Sequence, residues 1–432
     1  MQLPGRISAA IEVLDDVATR HRPVALALKD WGTSHRFAGS GDRAAIGNLV
    51  YDALRKRASH AFAMGEETPR ALVLAVAVFD WGMAPAALNA GFGADGFGPA
   101  ALTDAEMARL TAENSLQDAP EHVQANVPEW LAPSFEEAFG AAWIAEADAL
   151  TKRPPLDLRV NALKSEPERV LKALKRFEPE TSDLVPSALR MAAGAGNART
   201  PNVQSDEAYL KGWFEIQDLG SQLVASLAGA EPGHQVLDLC AGAGGKTLAL
   251  AAAMQNKGQM FAYDADRGRL APIYDRLKRN GARNVQVRAP EAGALDDLAG
   301  KMDRVIVDAP CTGTGTWRRR PDTKWRLTPE QLALRQGEQA DILANAATYV
   351  KPGGQLVYIT CSVLPEENSH QVSAFLKAYK EFSAISLPDV WGKRVGAPMP
   401  EGLHAGPSGI TVTPASFGSD GFFVAVLERT QA

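Results

Sequence analysis

The sequence predicts an α/β protein. A mostly parallel, doubly wound sheet occupies the C-terminal half, preceded by a small α/β unit and an all-helical N-terminal domain. Three observations carry this prediction. From Asp218 onward, the short β-rich runs QVLDLC, QMFAYD, NVQVR, RVIVDAP and GQLVYITC alternate with helical segments, which implies parallel strands covered on both faces. Before about Gly140 no strand signal appears, and Ile7, Ala10, Ile11, Leu14 and Val17 keep helical spacing. Between these regions, after Arg153, LDLRVNAL alternates like a strand. The expected domains are residues 1–145, 146–215 and 216–432.

Within the helical region, Ser40 and Asp42 are expected to cap a helix whose apolar stripe is Ile46, Leu49, Val50 and Leu54. The stretch GFGADGFGP from Gly91 reads as a loop. By composition alone, a packing or oligomerisation module is the bland reading of this domain, with other roles left open. Its RKR run at Arg55 to Arg57 is either a solvated helix face or a phosphate contact. In the small α/β unit, SEPERVLKALKRF predicts a helix starting at Ser165, with Ser165 and Glu168 as a capping box. AAGAGNARTP is expected to be a loop.

Composition narrows the class. The chain has 432 residues, 46% of them hydrophobic, and a formal net charge of −6. That length allows a sizeable core, and the charge excludes a protein that is basic all over while leaving room for a local basic patch. Three cysteines with no CxxC pair make neither a disulfide framework nor a thiolate zinc site, so no metal is expected. MQLPGRISAA has no apolar core of a signal peptide, and ALVLAVAVF breaks at Asp80 well short of a membrane span. A cytoplasmic monomer without a membrane partner is the expectation.

Strand ends are where ligands bind in such sheets, and Asp238, Asp264, Asp308 and Cys361 fall there. VLDLCAGAGGKTLALAAAM is a strand, a glycine turn and a helix. A phosphate-binding P-loop would need glycine where Cys240 stands, and a GxGxxG fingerprint would need it at Thr247; both matches fail. The turn fits an S-adenosylmethionine pocket better. Small residues from Ala241 to Gly245 let the backbone approach a ligand, and the helix N-terminus favours a carboxylate. Asp264, ending the next strand, can accept two ribose hydroxyls.

The remaining cysteines also fall at strand ends, Cys311 after Pro310 and Cys361 in YITCSVLPEEN. A lone cysteine is usually a buried inert thiol, but Cys240, Cys311 and Cys361 share one sheet edge with Asp308. A thiolate, a carboxyl group and a methyl donor suit cytosine. Thiolate addition at carbon 6 makes carbon 5 nucleophilic, and a carboxyl group on the N3/N4 edge stabilises the developing charge. Lys246 and the segment after Cys361, expected to start a helix, could activate the thiol. TGTG after Cys311 is expected to be flexible. Behind it, Trp317, Arg318, Arg319, Arg320, Lys324, Trp325 and Arg326 offer stacking platforms and phosphate contacts for RNA; the alternative is a surface loop with its tryptophans packed on the core.

LCAGAGGKT, YDADRGRL, VIVDAPCTGTG with RRRPDTKWR, and YITCSVLPEEN resemble motifs of the RsmB/Nop2/Sun family of RNA cytosine-5 methyltransferases. QDLGSQLVA, DGFFVAVLER and RPPLDLRVNALK resemble further blocks, over roughly residues 127–430. DRAAIGNLVYDALRKR is similar to the NusB-like domain of the RsmB branch. The resemblance implies a Rossmann-like class I methyltransferase domain, a small RNA-binding subdomain, S-adenosylmethionine as cofactor and 16S rRNA as substrate. It also implies Cys361 as nucleophile, Cys311 in product release and Asp308 at the cytosine. Cys240, Ala241, Gly242, Ala243, Gly244, Gly245, Lys246, Asp264, Arg269 and Asp308 would line the cofactor pocket, and Arg318, Arg319, Arg320, Lys324 and Arg326 would bind RNA. Two departures stand out. Ala243 replaces the family's proline, and Arg288 and Ala289 replace the acid near the third strand's end, with Glu291 nearby. Transfer to tRNA or DNA, or RNA binding without catalysis, are the rival readings.

Overall fold

The computed structural model describes residues 1–93, 98–113 and 115–431. The chain divides into two compact units. The first comprises Met1–Arg153, Ala193–Thr200 and Thr316–Leu327; the second comprises Pro154–Ala192, Pro201–Gly315 and Thr328–Ala432.

The first unit is helical among the described residues. Leu3–Arg20, Val24–Ser34, Ser40–Arg55, Arg57–Met64 and Pro69–Ala75 are its principal helices. The predicted stripes form its core: Ile7, Ala10, Leu14, Ile46, Leu49, Val50 and Leu54 are buried together with Val73 and Leu74. The capping expectation needs correction. Gly39 is the N-cap and Ser40 the first helical residue, while Asp42 accepts the Gly39 backbone N–H at 3.1 Å. Gly91 ends the helix Pro85–Gly91, and residues 94–97 of the expected loop lie outside the described residues. The RKR run is tied into ion pairs, Arg55 with Asp52, Lys56 with Asp80 and Arg57 with Glu67.

In the second unit, β1 (Leu156–Val160), β2 (Glu180–Thr181), β3 (Ala188–Met191) and β4 (Phe214–Ile216) form an antiparallel sheet in the order β2-β3-β1-β4. Leu158, Val160, Leu189 and Phe214 cover Val170 of the helix Pro167–Ala173 and Leu174, which caps its C-terminal end. That helix does not begin at Ser165. Pro167 takes its first position, where a missing N–H costs nothing, and the buried Ser165 hydroxyl has no hydrogen-bond partner among the described residues.

The larger sheet contains β5 (Gln235–Asp238), β6 (Gln259–Tyr263), β7 (Val285–Arg288), β8 (Met302–Asp308), β9 (Val350–Thr360), β10 (Phe382–Ala384), β11 (His404–Gly406), β12 (Gly409–Val412) and β13 (Phe422–Arg429). Its path is β11-β12-β13-β9-β8-β5-β6-β7, with β10 on β13. The strands β9-β8-β5-β6-β7 run parallel; β13, β12, β11 and β10 extend them antiparallel. Connecting helices such as Gly245–Ala253 and Pro329–Ala347 separate the parallel strands in sequence. Val236, Ile306, Val357 and Ile359 are buried in one cluster, and Leu237, Val305, Val307 and Tyr358 in another. This alternation puts successive side chains on opposite faces. Parallel register therefore delivers the carboxyl ends of β5, β6, β8 and β9 to one edge.

Candidate active site

The glycine turn lies at that edge. Ala241 donates its N–H to the Tyr263 carbonyl at 2.8 Å, locking the turn to β6. Gly242 has φ 49°, and a Cβ there would come within 3.7 Å of the Arg269 guanidinium and 3.8 Å of Asp264. Glycine thus leaves open the space between the turn and the acid. Gly244 caps the following helix at φ 83°, and a Cβ on it would lie 2.6 Å from Ile273, so a side chain is excluded. Arg276 holds the turn from outside, donating to the Ala243 carbonyl at 2.7 Å and to Glu215 at 2.7 Å.

Asp264 is buried. One oxygen accepts the Gly242 N–H and the other the Asp266 N–H, both at 2.9 Å, and Arg269 stands 3.9 Å away. Each carboxylate oxygen retains acceptor capacity, so the acid orders the turn and can still take a hydroxyl. Asp238 has no solvent exposure. It accepts the Thr247 hydroxyl at 2.7 Å, and burial raises it to about 7, with Asp308 and Asp264 adding to the rise. Burial, with the surrounding aspartates, pushes the Cys240 thiol far up as well, which makes it inert.

Lys246, in the first turn of the helix, reaches across to Asp308 at 2.6 Å and lies over the Phe422 ring at 5.3 Å. Its charge is thus paired with Asp308. Asp308 keeps about a third of its side chain exposed and is positioned by β8 pairing with Ile359 of β9.

Cys311 and Cys361 come together, sulfur to sulfur at 3.4 Å. The hydrogen bond to Cys361, burial and the nearby Glu367 push the Cys311 thiol well above the ordinary thiol range, so Cys311 keeps its proton. The TGTG segment is pinned rather than flexible. Gly315 donates to the Cys361 carbonyl at 3.0 Å, and the Thr314 hydroxyl accepts the Val363 N–H at 2.9 Å. A Cβ on Gly315 would sit 2.1 Å from the Gly421 carbonyl oxygen. Beyond Cys361 the chain makes a 3-10 turn, Pro365–Glu367, and the helix starts only at Ser369 rather than at Ser362.

The expected RNA loop is the largest correction. Lys324 and Arg318 are buried, 1% and 3% exposed. Lys324 donates to the Arg55 carbonyl at 2.9 Å, and Arg55 to the Arg318 carbonyl at 2.8 Å. Burial drives Lys324 down to about 7. Trp317 stacks on Phe135 at 5.6 Å, and Trp325 donates to the Leu54 carbonyl at 2.6 Å. This segment supplies core to the helical unit, so Arg318, Lys324 and Trp317 cannot meet a nucleotide. Arg319 is half-buried, Arg320 is exposed, and the exposed Arg326 pairs with Asp322 at 2.9 Å. Glu291 pairs with Arg267 at 3.5 Å.

Sequence reasoning missed Glu367 and Gln339, which hold the segment around Cys311. Glu367 accepts the Thr312 N–H at 2.8 Å and the Gln339 amide at 3.0 Å. The PEEN run carried a signal for Glu367, a carboxylate just past a strand end. Gln339, inside a helix far from the motif, had none.

A turn of small residues, an acid at the next strand end and a sheet with this parallel order define the Rossmann-like, class I methyltransferase fold. The model of the 16S rRNA methyltransferase RsmB/F family matches residues 225–428, and that of the ferredoxin-like domain of RsmF/B-like methyltransferases matches residues 127–196. The chain belongs to the RsmB/F methyltransferase family. It is 38% identical to ribosomal RNA small subunit methyltransferase B of Enterobacter sp. (strain 638), over 58% of each chain. Against the Klebsiella pneumoniae (strain 342) protein of that name, identity is 35% over 69% of this chain and 65% of the other. Against the probable counterpart in Synechocystis sp. it is 32%, over 71% and 67%. The aligned part thus spans about three-fifths to two-thirds of these relatives. The crystal structure of a methyltransferase homolog from Pyrococcus horikoshii superposes with a TM-score of 0.58 at 27% identity, covering 72% of this chain and 97% of that one. NSun6 from Pyrococcus horikoshii, solved with SFG, gives 0.61 at 21% identity, covering 71% and 99%.

Proposed function

We propose that this protein transfers a methyl group from S-adenosylmethionine to carbon 5 of a cytosine in RNA, with 16S rRNA as the substrate. The observation that carries this reading is the pair of sulfurs, Cys311 and Cys361, 3.4 Å apart beside a lysine-held Asp308. A methyltransferase acting on an amine or hydroxyl has no use for two thiols there. The names of the curated relatives support the rRNA substrate.

The pocket fits the cofactor. The open side of Gly242 and the acceptor capacity of Asp264 suit a ribose, and the N-terminus of helix Gly245–Ala253 suits a carboxylate. Cys240 through Gly245, Asp264 and Arg269 would hold it. When bound, S-adenosylmethionine supplies an electrophilic methyl group. Lys246 orients the Asp308 carboxyl, which hydrogen-bonds the N3/N4 edge of the flipped-out base. Cys361 gives up its S–H proton to water and adds to carbon 6, and the displaced C5=C6 electron pair makes carbon 5 nucleophilic. Cys311 retains its proton and donates its S–H to the Cys361 sulfur when that sulfur leaves.

Denaturing electrophoresis of each variant with in vitro transcribed 16S rRNA and labelled cofactor tests the chemistry. Cys311→Ala is expected to accumulate a covalent RNA–protein adduct and Cys361→Ala to form none; adduct formation by Cys361→Ala would refute the assignment. For the pocket, Asp264→Ala is expected to weaken S-adenosylmethionine binding in calorimetry by on the order of tenfold or more, because it removes both a ligand acceptor and the anchor of Gly242. Unchanged binding would sink it.

A further inference from the structure

Glu367 has no solvent exposure and lies in the 3-10 turn just beyond Cys361. One oxygen accepts the Thr312 N–H at 2.8 Å and the Gln339 amide at 3.0 Å; the other accepts the Thr312 hydroxyl at 2.5 Å. The next residue, Asn368, donates its side-chain amide to the Ser362 carbonyl at 2.9 Å. Thr312 directly follows Cys311, and Ser362 directly follows Cys361. The Glu367 carboxylate and the adjoining Asn368 amide therefore tie together the neighbours of both sulfurs.

The carboxylate is itself fixed. Tyr358 of β9 donates its hydroxyl to the Glu367 carbonyl at 2.6 Å. Gln339 also donates to the Pro310 carbonyl at 3.0 Å, so the residue before Cys311 hangs from the same network. A buried carboxylate with this many donors is costly unless all are kept. Burial raises Glu367, with Ser362 and Thr312 opposing the rise. Nothing in the chemistry of methyl transfer needs this group to touch RNA or cofactor.

We propose that Glu367 is a positioning residue for product release: it holds the Cys311 thiol against the Cys361 sulfur so that the covalent adduct can be resolved. The inference rests on the covalent reading given above. In release, the carbon-5 proton passes to water and its bonding pair forms the C5=C6 double bond. The C6–S pair returns to the Cys361 sulfur, which the Cys311 S–H stabilises by a hydrogen bond. Misplacing the Cys311 sulfur by about 1 Å slows this step, whereas the attack by Cys361 does not use that thiol.

The experiment compares wild type, Cys311→Ala, Glu367→Ala, Glu367→Asp and Glu367→Gln on in vitro transcribed 16S rRNA. Adduct on denaturing gels, turnover and calorimetric S-adenosylmethionine binding are read for each. Glu367→Ala and Glu367→Asp are expected to accumulate adduct as Cys311→Ala does. Their turnover should fall on the order of tenfold or more, with cofactor affinity within about twofold of wild type. Glu367→Gln should recover most turnover. Its amide oxygen still accepts from Thr312 and Gln339, and the Thr312 hydroxyl can reverse to accept from the amide nitrogen. If Glu367→Ala does not fold, Glu367→Asp carries the test, because it keeps the charge and withdraws the acceptor.

Turnover without adduct accumulation in Glu367→Asp overturns the proposal. So does loss of cofactor binding in step with adduct formation, which marks a folding role, and so does failure of Gln to rescue. If Cys311→Ala itself traps nothing, the covalent reading fails and the proposal falls with it. Trapping by Cys311→Ala alone refutes only the role of Glu367.

Discussion

Asp238 carries an energetic burden that can be measured. Its rise from 3.8 to about 7 corresponds to roughly 4 kcal/mol between protonated and ionised forms. The folded state binds the proton more tightly than the unfolded chain. The stabilising contribution is therefore complete below the unfolded value and is lost as pH rises through about 7. Asp238→Asn keeps an acceptor for Thr247 and removes the ionisation. Its melting temperature relative to wild type is expected to be higher at about pH 8 than at about pH 5; an equal difference at both would contradict the assignment. Residues of this kind were half legible in the sequence. Strand ends marked Asp238, Asp264, Asp308 and both partnered cysteines, because a β-rich run ending in a polar residue marks the ligand edge. The pairing of Lys246 with Asp308, and the whole role of Glu367, depend on neighbours far away in sequence.

At the scale of elements, the segment after Cys311 separates composition from placement. Two tryptophans and five cations in ten residues look like an RNA surface, yet Trp317, Arg318 and Lys324 are buried. Local sequence cannot tell a ring offered to a base from a ring offered to Phe135. Arg320 and Arg326 are the exposed arginines of this segment. Arg320→Ala with Arg326→Ala is expected to lower RNA affinity and reduce the slope of log affinity against log salt by about 0.7 per lost contact. Filter binding across a salt series checks this; an unchanged slope removes Arg320 and Arg326 from the interface. Strands and buried stripes were read well because alternation and helical spacing are local. Helix starts were not. The Ser165 box lost to Pro167, and the helix expected after Cys361 begins only at Ser369, since Pro365 and the buried Glu367 sustain a tighter turn.

For the whole molecule, the helical unit is assembled from three separated stretches of chain. Sequence reading placed its edge near residue 145 because linear patterns have no means of recruiting residues 193–200 or 316–327. Those returns are structurally committed. Asn48 donates to the Ala198 carbonyl at 2.9 Å, Arg153 to the Gly194 carbonyl at 2.9 Å, and Lys324 and Trp325 to the Arg55 and Leu54 carbonyls. A fragment of residues 1–153 lacks Trp317, Lys324 and Trp325. It is expected to melt without a cooperative transition and to bind a hydrophobic dye, where the full chain melts cooperatively. A sharp transition in the fragment would show that its own helices suffice.

This discontinuity sets a schedule for biosynthesis. A nascent chain that has delivered residues 1–153 to the tunnel exit still awaits Trp317, which emerges on the order of 10–30 s later at ordinary elongation rates. During that interval the Phe135 surface stays uncovered. The N-terminal unit receives its last stretch, residues 316–327, only after strands β5 to β8 have been made, so a chaperone that shields nascent apolar surface has its longest window on this protein at its beginning.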